Sequence, residues 1–155
     1  MSQVESFLHG DFPEKFIWST AYELGVPLID AQHKKLFLIF RNLVESCKAD
    51  NNEKGGSQAL ELMVEYVGYH FKAEEKYWEL DLDIYVPHRR AHYDFVKEIY
   101  FATGKIHVRE DISEVLLHFL ASWLLDHVVG MDRAHFQKLR DSGLVDANGF
   151  VVNNT

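Results

Sequence analysis

The chain of 155 residues fits one domain, and its 47% hydrophobic and 14% aromatic content excludes a disordered chain. A net charge of −8 argues against nucleic acid or an anionic membrane surface as a partner. The single cysteine, Cys47, cannot form an internal disulfide, which suits a reducing compartment. The N-terminus lacks a signal-peptide pattern, and no segment is expected to be long and apolar enough to span a membrane. The sequence therefore predicts a cytoplasmic protein.

Helical periodicity dominates the chain, and hardly any segment alternates like a strand. Residues 1–25 are predicted to form an irregular N-terminal arm, and residues 144–155 a tail. Four apolar stripes with spacings of three and four residues lie between them, within 26–143. Four helices joined by short connections predict an all-α fold, an antiparallel up-down-up-down four-helix bundle forming a single domain over 1–155. The aromatic anchors expected in the arm are Phe12, Phe16, Trp18 and Tyr22.

The first two helices have recognisable limits. One is predicted from Leu28 to Ala49, where the run ADNNEKGGS breaks it. Ser57 is a suitable cap for the next helix, whose stripe ends in the turn-like DLDIYVP at residues 81–87.

The last two helices carry proline and glycine signals. Pro87 suits the first turn of a third helix that runs to Thr103, with Gly104 just past its end. Asp111 or Ser113 can cap the fourth helix, which is expected to stop near Gly143.

The nine histidines are placed unevenly, and every helix directs at least one of them towards the interior. A single histidine on an apolar face is usually a hydrogen-bonded core residue. The joint pattern favours a metal site, because each unpaired buried polar group would cost about 1–3 kcal/mol. The inward-facing set is His33, His70, Glu74, His88, His92 and His127. The other histidines are predicted not to bind metal, and they are His9, His107, His118 and His135.

The number of histidines indicates the kind of site. Five are too many for one tetrahedral zinc, and the chain has no cysteine cluster for a structural zinc. Imidazole suits iron, and two adjacent six-coordinate irons would accept five histidines, two bridging carboxylates and one bridging solvent oxygen. One coordination position would then remain open.

Two acidic residues are candidates for the bridges. Glu74 lies one turn after His70, whereas Glu75 points about 100° away and is expected to be solvated. Asp132 follows His127 by five residues, which an ideal α-helix would rotate by about 140°. A π-type turn near Gly130 would bring Asp132 round to the site, and an unbroken α-helix over 126–134 would refute this hypothesis.

Taken together, these motifs resemble those of the hemerythrins, particularly the bacterial ones called bacteriohemerythrins. An isolated histidine, HxxxE, HxxxH and HxxxxD occur in the family's order and span roughly residues 18–140. The matching segments are IDAQHKKLF (29–37), HFKAEEKYW (70–78), HRRAH (88–92) and HVVGMD (127–132).

The resemblance implies a non-haem di-iron centre, with an oxo or hydroxo bridge, that binds dioxygen reversibly. One iron would be held by His88, His92 and His127, and the other by His33 and His70. Glu74 and Asp132 would bridge the two irons, and dioxygen would bind to the iron with two histidines. The pocket for dioxygen would be formed by Leu124, Trp123 and Phe37.

The expected role is an oxygen carrier, store or delivery protein and not an enzyme. The alternative is a sensor of oxygen or redox state that acts through a protein partner, with the arm or the tail segment GFVVNN as contact surface. Weak oxidase or peroxidase activity is a third possibility. Asp30 and Asp126 are candidates to accept N–H protons from the imidazoles, and Asp30 is equally suited to cap the first helix.

Overall fold

The computed structural model describes residues 6–49, 53–106 and 114–152, and for 53–57 and 102–106 the description covers the backbone only. Helix α1 spans Pro27–Ala49, α2 spans Glu53–Trp78 and α3 spans Leu82–Ile106. The fourth rod consists of α4 (Glu114–Leu124), a π-helical segment (Leu125–Asp132) and α5 (Arg133–Asp141). The predicted all-α, four-rod architecture is confirmed.

Several predicted helix limits are wrong. Ser57 is not a cap, because α2 starts four residues earlier at Glu53. Helix α3 begins within the predicted turn, because Asp81 caps it by accepting a hydrogen bond from the N–H of Asp83 at 2.9 Å. Pro87 is therefore the sixth residue of α3, on its exposed side, where it lacks the N–H that would bond to the carbonyl of Asp83.

The ends of the last two rods agree only in part with the sequence. Helix α3 continues past Gly104 to Ile106. The fourth rod stops at Asp141, and Gly143 follows with a positive φ of 73°, as expected of a glycine just past a helix. The proposed caps Asp111 and Ser113 lie outside the described residues.

The N-terminal arm is packed on the bundle. Its described part contains the 3-10 turns Glu14–Phe16 and Thr20–Tyr22. The rings of Phe7 and Phe16 are buried against Phe40, at centroid distances of 5.5 and 6.1 Å. Phe7 was not among the predicted anchors, because it lies outside any periodic segment.

The end of the chain is also folded back. Val145 and Val151 form an isolated antiparallel bridge, so the predicted tail is a tight turn in its described part. Gly149 has a φ of 84°, and a Cβ built on it would lie 2.8 Å from the Cα of Val26. The turn therefore packs closely against the start of α1.

Two apolar clusters lie one after the other along the bundle axis, separated by a layer of polar residues. Ile29, Trp78, Ile84 and Phe136 belong to one cluster, and Leu36, Phe71, Phe95 and Leu124 belong to the other. Along α1 and α3 the chain passes from the first cluster to the second, and along α2 and the fourth rod it passes back. This order is that of an up-down-up-down bundle, and it brings the residues between the clusters to the same level.

The prediction that no segment is long and apolar enough to span a membrane is wrong for one rod. The rod Glu114–Asp141 is long and apolar enough to cross a membrane by length and composition. The core helix of a bundle meets the same criterion, and this rod buries Leu117, Leu120 and Leu124 in the core.

Candidate metal centre

The seven predicted ligands meet between the two apolar clusters. All of them are buried, with at most 4% of any residue exposed. Their ligand atoms form two groups in which every atom lies within 4.8 Å of the others. The three-histidine cluster contains Glu74, His88, His92 and His127. The two-histidine cluster contains His33, His70, Glu74 and Asp132.

The π-helical segment explains how Asp132 reaches this point. Hydrogen bonds in a π-helix run from i to i+5, so residues five apart lie nearly in line. His127 and Asp132 have this spacing, and Nε2 of the first lies 3.1 Å from Oδ1 of the second. The predicted π-type turn is confirmed.

Glu74 distributes its two carboxylate oxygens between the clusters. Its Oε1 lies 3.0 Å from Nε2 of His33 and 2.9 Å from Nε2 of His70. Its Oε2 lies 3.2 to 3.4 Å from the Nε2 atoms of His88, His92 and His127.

Asp132 has the same arrangement from the opposite rod. Its Oδ2 lies 3.0 Å from Nε2 of His33, and its Oδ1 lies 3.0 Å from Nε2 of His88. Each carboxylate therefore has one oxygen beside each cluster.

Many polar atoms at this site lack a satisfying partner within the protein. Nε2 of His70 and both oxygens of Asp132 are buried without a hydrogen bond, although other ligand atoms are close to them. Nε2 of His127 faces Nε2 of His88 at 3.1 Å and Nε2 of His92 at 3.0 Å. Buried lone pairs that converge in this way are stabilised by a cation. The residues thus fit a metal.

The electrostatics are consistent with this interpretation. Burial lowers the pKa of His88 to about 3 and that of His92 to about 4, so both are neutral and keep lone pairs at neutral pH. Burial favours a raised pKa for Glu74, but neighbouring histidines, His70 first, hold it well below its usual range. Burial and the charge of Glu74 raise the pKa of Asp132 well above its usual range. Two carboxylates this close do not both ionise readily without cations between them.

Two residues that hold the imidazoles from outside were missed by the sequence analysis. Nδ1 of His70 lies 2.7 Å from Oε1 of Gln32, which can only accept. Gln32 directly precedes His33 in the IDAQHKKLF segment, and it is 4% exposed. Nδ1 of His88 lies 2.6 Å from Nδ1 of His135. His135 was predicted to lie off the metal-binding face, and it is absent from both clusters.

The candidates for this outer role behave differently. Asp30 accepts hydrogen bonds from the backbone N–H groups of Leu24 (2.7 Å) and Gly25 (3.1 Å), so it caps the start of α1. Asp126 is exposed. Glu75, which was expected to be solvated, is partly buried, and its Oε1 lies 3.8 Å from Nδ1 of His92.

The remaining histidines lie away from the centre or outside the described residues. His9 is exposed, and His107 falls in the undescribed segment. His118 is only 33% exposed in its side chain and packs against the ring of Phe7, with a centroid distance of 4.7 Å. The expectation that His118 faces solvent is thus only partly correct.

Aromatic rings cover the three-histidine cluster. Phe71 stacks on His92 at 3.6 Å and 5°, and Trp123 stacks on His127 at 4.5 Å and 11°. Trp123 therefore lies beside the cluster opposite to the one assigned to dioxygen. Leu124 and Phe37 are buried in the same apolar cluster. The assignment of these three residues to an oxygen pocket stays a prediction.

Comparisons with known proteins support the assignment of the fold. The chain is 28% identical to a bacteriohemerythrin of Clostridium acetobutylicum over 126 residues, covering 77% of this chain and 98% of the relative. It is 29% identical to a myohemerythrin of Theromyzon tessulatum over 133 residues, covering 83% and 98%. A crystal structure of wild-type hemerythrin superposes with a TM-score of 0.70 at 24% identity, covering 76% of this chain and 92% of that one.

The match extends to the whole bundle. The family model described as hemerythrin HHE cation binding domain matches residues 24–139, which include all seven candidate ligands. The same residues form the two buried clusters that can hold a metal. The chain therefore belongs to the hemerythrin family.

Proposed function

We propose that this protein binds two iron ions in adjacent positions and uses them to bind dioxygen reversibly, as a carrier, store or delivery protein. The observation that carries the proposal is the shared position of the two carboxylates. Glu74 and Asp132 each direct one oxygen to His33 and the other to His88. One ion would leave half of these oxygens without a partner.

The number of ligands supports two six-coordinate irons over one tetrahedral zinc, because five imidazoles and two carboxylates exceed the four positions of a tetrahedral ion. With imidazole–metal bonds of about 2.1 Å, neighbouring ligands lie about 3.0 Å apart in an octahedron and about 3.4 Å apart in a tetrahedron. In the three-histidine cluster Nε2 of His127 lies 3.0 and 3.1 Å from the other two Nε2 atoms, and Oε2 of Glu74 lies 3.2 to 3.4 Å from all three, so these distances fit a common ion of either geometry.

The open position is proposed to lie at the two-histidine cluster. The three-histidine cluster offers three imidazoles and an oxygen from each carboxylate, whereas the two-histidine cluster offers two imidazoles and the same two bridges. With one bridging solvent oxygen, the first ion would be six-coordinate and the second five-coordinate. We therefore expect the ligand to bind beside His33 and His70.

Iron, when bound, supplies the electrons for reversible oxygen binding. The residues around the centre determine whether bound oxygen is released or consumed. Five neutral imidazoles and only two carboxylates favour the ferrous state more than a carboxylate-rich site does. The apolar clusters above and below the centre exclude water and hence protons. Both effects favour release of oxygen over its consumption.

The sensor alternative retains one of its two contact surfaces. Phe7 of the arm is 1% exposed and Gly149 is packed against Val26, but Phe150 and Val151 of the turn are 66% and 41% exposed. The turn is therefore available to a partner, and the experiment below separates the two functions.

The experiment is an oxygen titration of the anaerobically reduced protein, together with metal analysis. We expect two irons per chain and a visible charge-transfer band that grows with oxygen and disappears when oxygen is removed. One metal per chain, or zinc, would contradict the proposal. Irreversible loss of the band with substrate turnover would favour an enzyme, and an oxygen-dependent change in oligomer size would favour a sensor.

A further inference from the structure

His135 contacts the metal centre without belonging to it. It is the third residue of α5 and is partly buried, and it follows Asp132 by three residues, which places both on one face of the rod. Its Nδ1 lies 2.6 Å from Nδ1 of His88. At this distance one of the two ring nitrogens must donate a proton and the other must accept it.

The direction of this hydrogen bond follows from the other side of the His88 ring. Nε2 of His88 faces Oδ1 of Asp132 at 3.0 Å and Nε2 of His127 at 3.1 Å. To bind a metal there, Nε2 must carry a lone pair, and the single proton of the neutral ring is then on Nδ1. His135, in its neutral form, is the acceptor.

Trp78 holds this pair of rings in place. Its indole is fully buried and lies 4.4 Å from the His88 ring and 5.6 Å from the His135 ring, measured between centroids. Among the ligands, His70 has a comparable acceptor in Gln32, whereas His33 and His92 have no hydrogen-bond partner at Nδ1. His70 and His88, which belong to different clusters, are therefore both held by a hydrogen bond from outside.

We propose that His135 is a positioning residue of the metal centre, which accepts the Nδ1 proton of His88 and thereby fixes the tautomer and ring plane that present Nε2 to the metal. The inference rests on the proposed di-iron function. It predicts that substitution of His135, which does not bind metal, lowers the affinity of the protein for metal. Loss of such an outer partner typically lowers metal affinity about 10- to 100-fold.

The test compares three substitutions. His135→Leu removes the acceptor. His135→Asn keeps a carbonyl oxygen bonded to Cγ, at the position of Nδ1, and His135→Gln carries the same group one carbon further out, near the position of Nε2. Ferrous iron affinity is measured anaerobically by competition with a chelator, and the unfolding free energy of the metal-free forms is measured in urea. His118→Leu, away from the centre, is the matched control.

We expect His135→Leu and His135→Gln to bind iron about 10- to 100-fold more weakly, while His135→Asn stays within a few-fold of the wild type. Equal affinity of all variants, or equal loss in Asn and Leu, would overturn the inference. So would affinities that simply follow the unfolding free energies, which would indicate a structural role. If His135→Leu does not fold, the Asn and Gln pair still decides. A wild type that retains fewer than two irons would contradict the proposed function, and the inference with it.

Discussion

Glu74 and Asp132 reach the same histidine from different rods: Oε1 of Glu74 and Oδ2 of Asp132 each lie 3.0 Å from Nε2 of His33. Their second oxygens both approach His88 in the other cluster. Two carboxylates sharing this arrangement in a dry core repel each other, and the neighbouring histidines offset this only in part, because they lower the pKa of Glu74 while that of Asp132 stays raised. Two metal ions would convert the repulsion into a pair of bridges.

The first prediction concerns adjacent glutamates on α2. Glu74→Gln keeps the size of the side chain but removes the charge that would bind both ions, so we expect no more than one iron per chain. Glu75→Gln is the control, because Glu75 approaches His92 at 3.8 Å from outside the clusters. Metal analysis after anaerobic loading measures the difference. Two irons in the Glu74→Gln protein would show that the carboxylate does not bridge.

A second prediction compares two glycines. A Cβ on Gly130 would meet no atom within 4 Å, so Gly130→Ala should stabilise the rod by about 0.5–1 kcal/mol and retain iron. A Cβ on Gly149 would lie 2.8 Å from the Cα of Val26 at a φ of +84°, so Gly149→Ala should destabilise the protein by about 1–3 kcal/mol. Urea unfolding measures both changes. Loss of iron from Gly130→Ala would mean that the π-helical segment requires the flexibility of this glycine.

The third prediction concerns the metal-free protein in acid. The pKa of His88 is lowered to about 3 and that of His92 to about 4, mainly by burial, from an ordinary value of 6.5. Between pH 6.5 and 4 the unfolded chain therefore binds more protons than the folded one, and stability falls as the pH falls.

Other groups at the centre modify this slope. The raised pKa of His33 leaves it protonated in both states below pH 6.5, so it adds no slope. The raised pKa of Asp132 offsets part of the effect. We expect a net loss of about 1.4 kcal/mol per pH unit for each proton taken up on unfolding, with at least one such proton. Urea unfolding at several pH values tests this, and stability that rises towards pH 4 would contradict it.

The fourth prediction concerns the arm. Glu114 accepts a hydrogen bond from the hydroxyl of Ser6 and others from the backbone N–H groups of Phe7 (3.1 Å) and Leu8 (2.9 Å). Phe7→Ala should cost about 3 kcal/mol of unfolding free energy, because this ring is 1% exposed. His9→Ala, at an exposed position, should change stability by less than about 0.5 kcal/mol. Equal stability of the two variants would mean that the arm is not part of the folded core.

The sequence alone determined the number of rods and which polar residues meet in the interior, because both depend on periodicity. An apolar stripe with a histidine on it specifies which face of a helix is buried, and five such histidines on four helices specify a common interior site. His33, His70 and Glu74 could therefore be identified without coordinates. The limits of α3 could not be identified in this way, because they depend on a hydrogen bond from Asp83 to the capping side chain of Asp81 and because Pro87 is tolerated inside the helix.

Only the tertiary structure decided which residues support the site from outside. Nothing in the sequence distinguishes Gln32 and His135 from other helix residues. Gln32 reaches His70 because α1 is packed against α2, and His135 reaches His88 because the fourth rod is packed against α3. The position of Asp132 required the structure too, since five residues place it on the wrong face of an α-helix and the right face of a π-helix. Periodicity reports the average turn of a helix, whereas these contacts depend on a local departure from it and on neighbours far away in the chain.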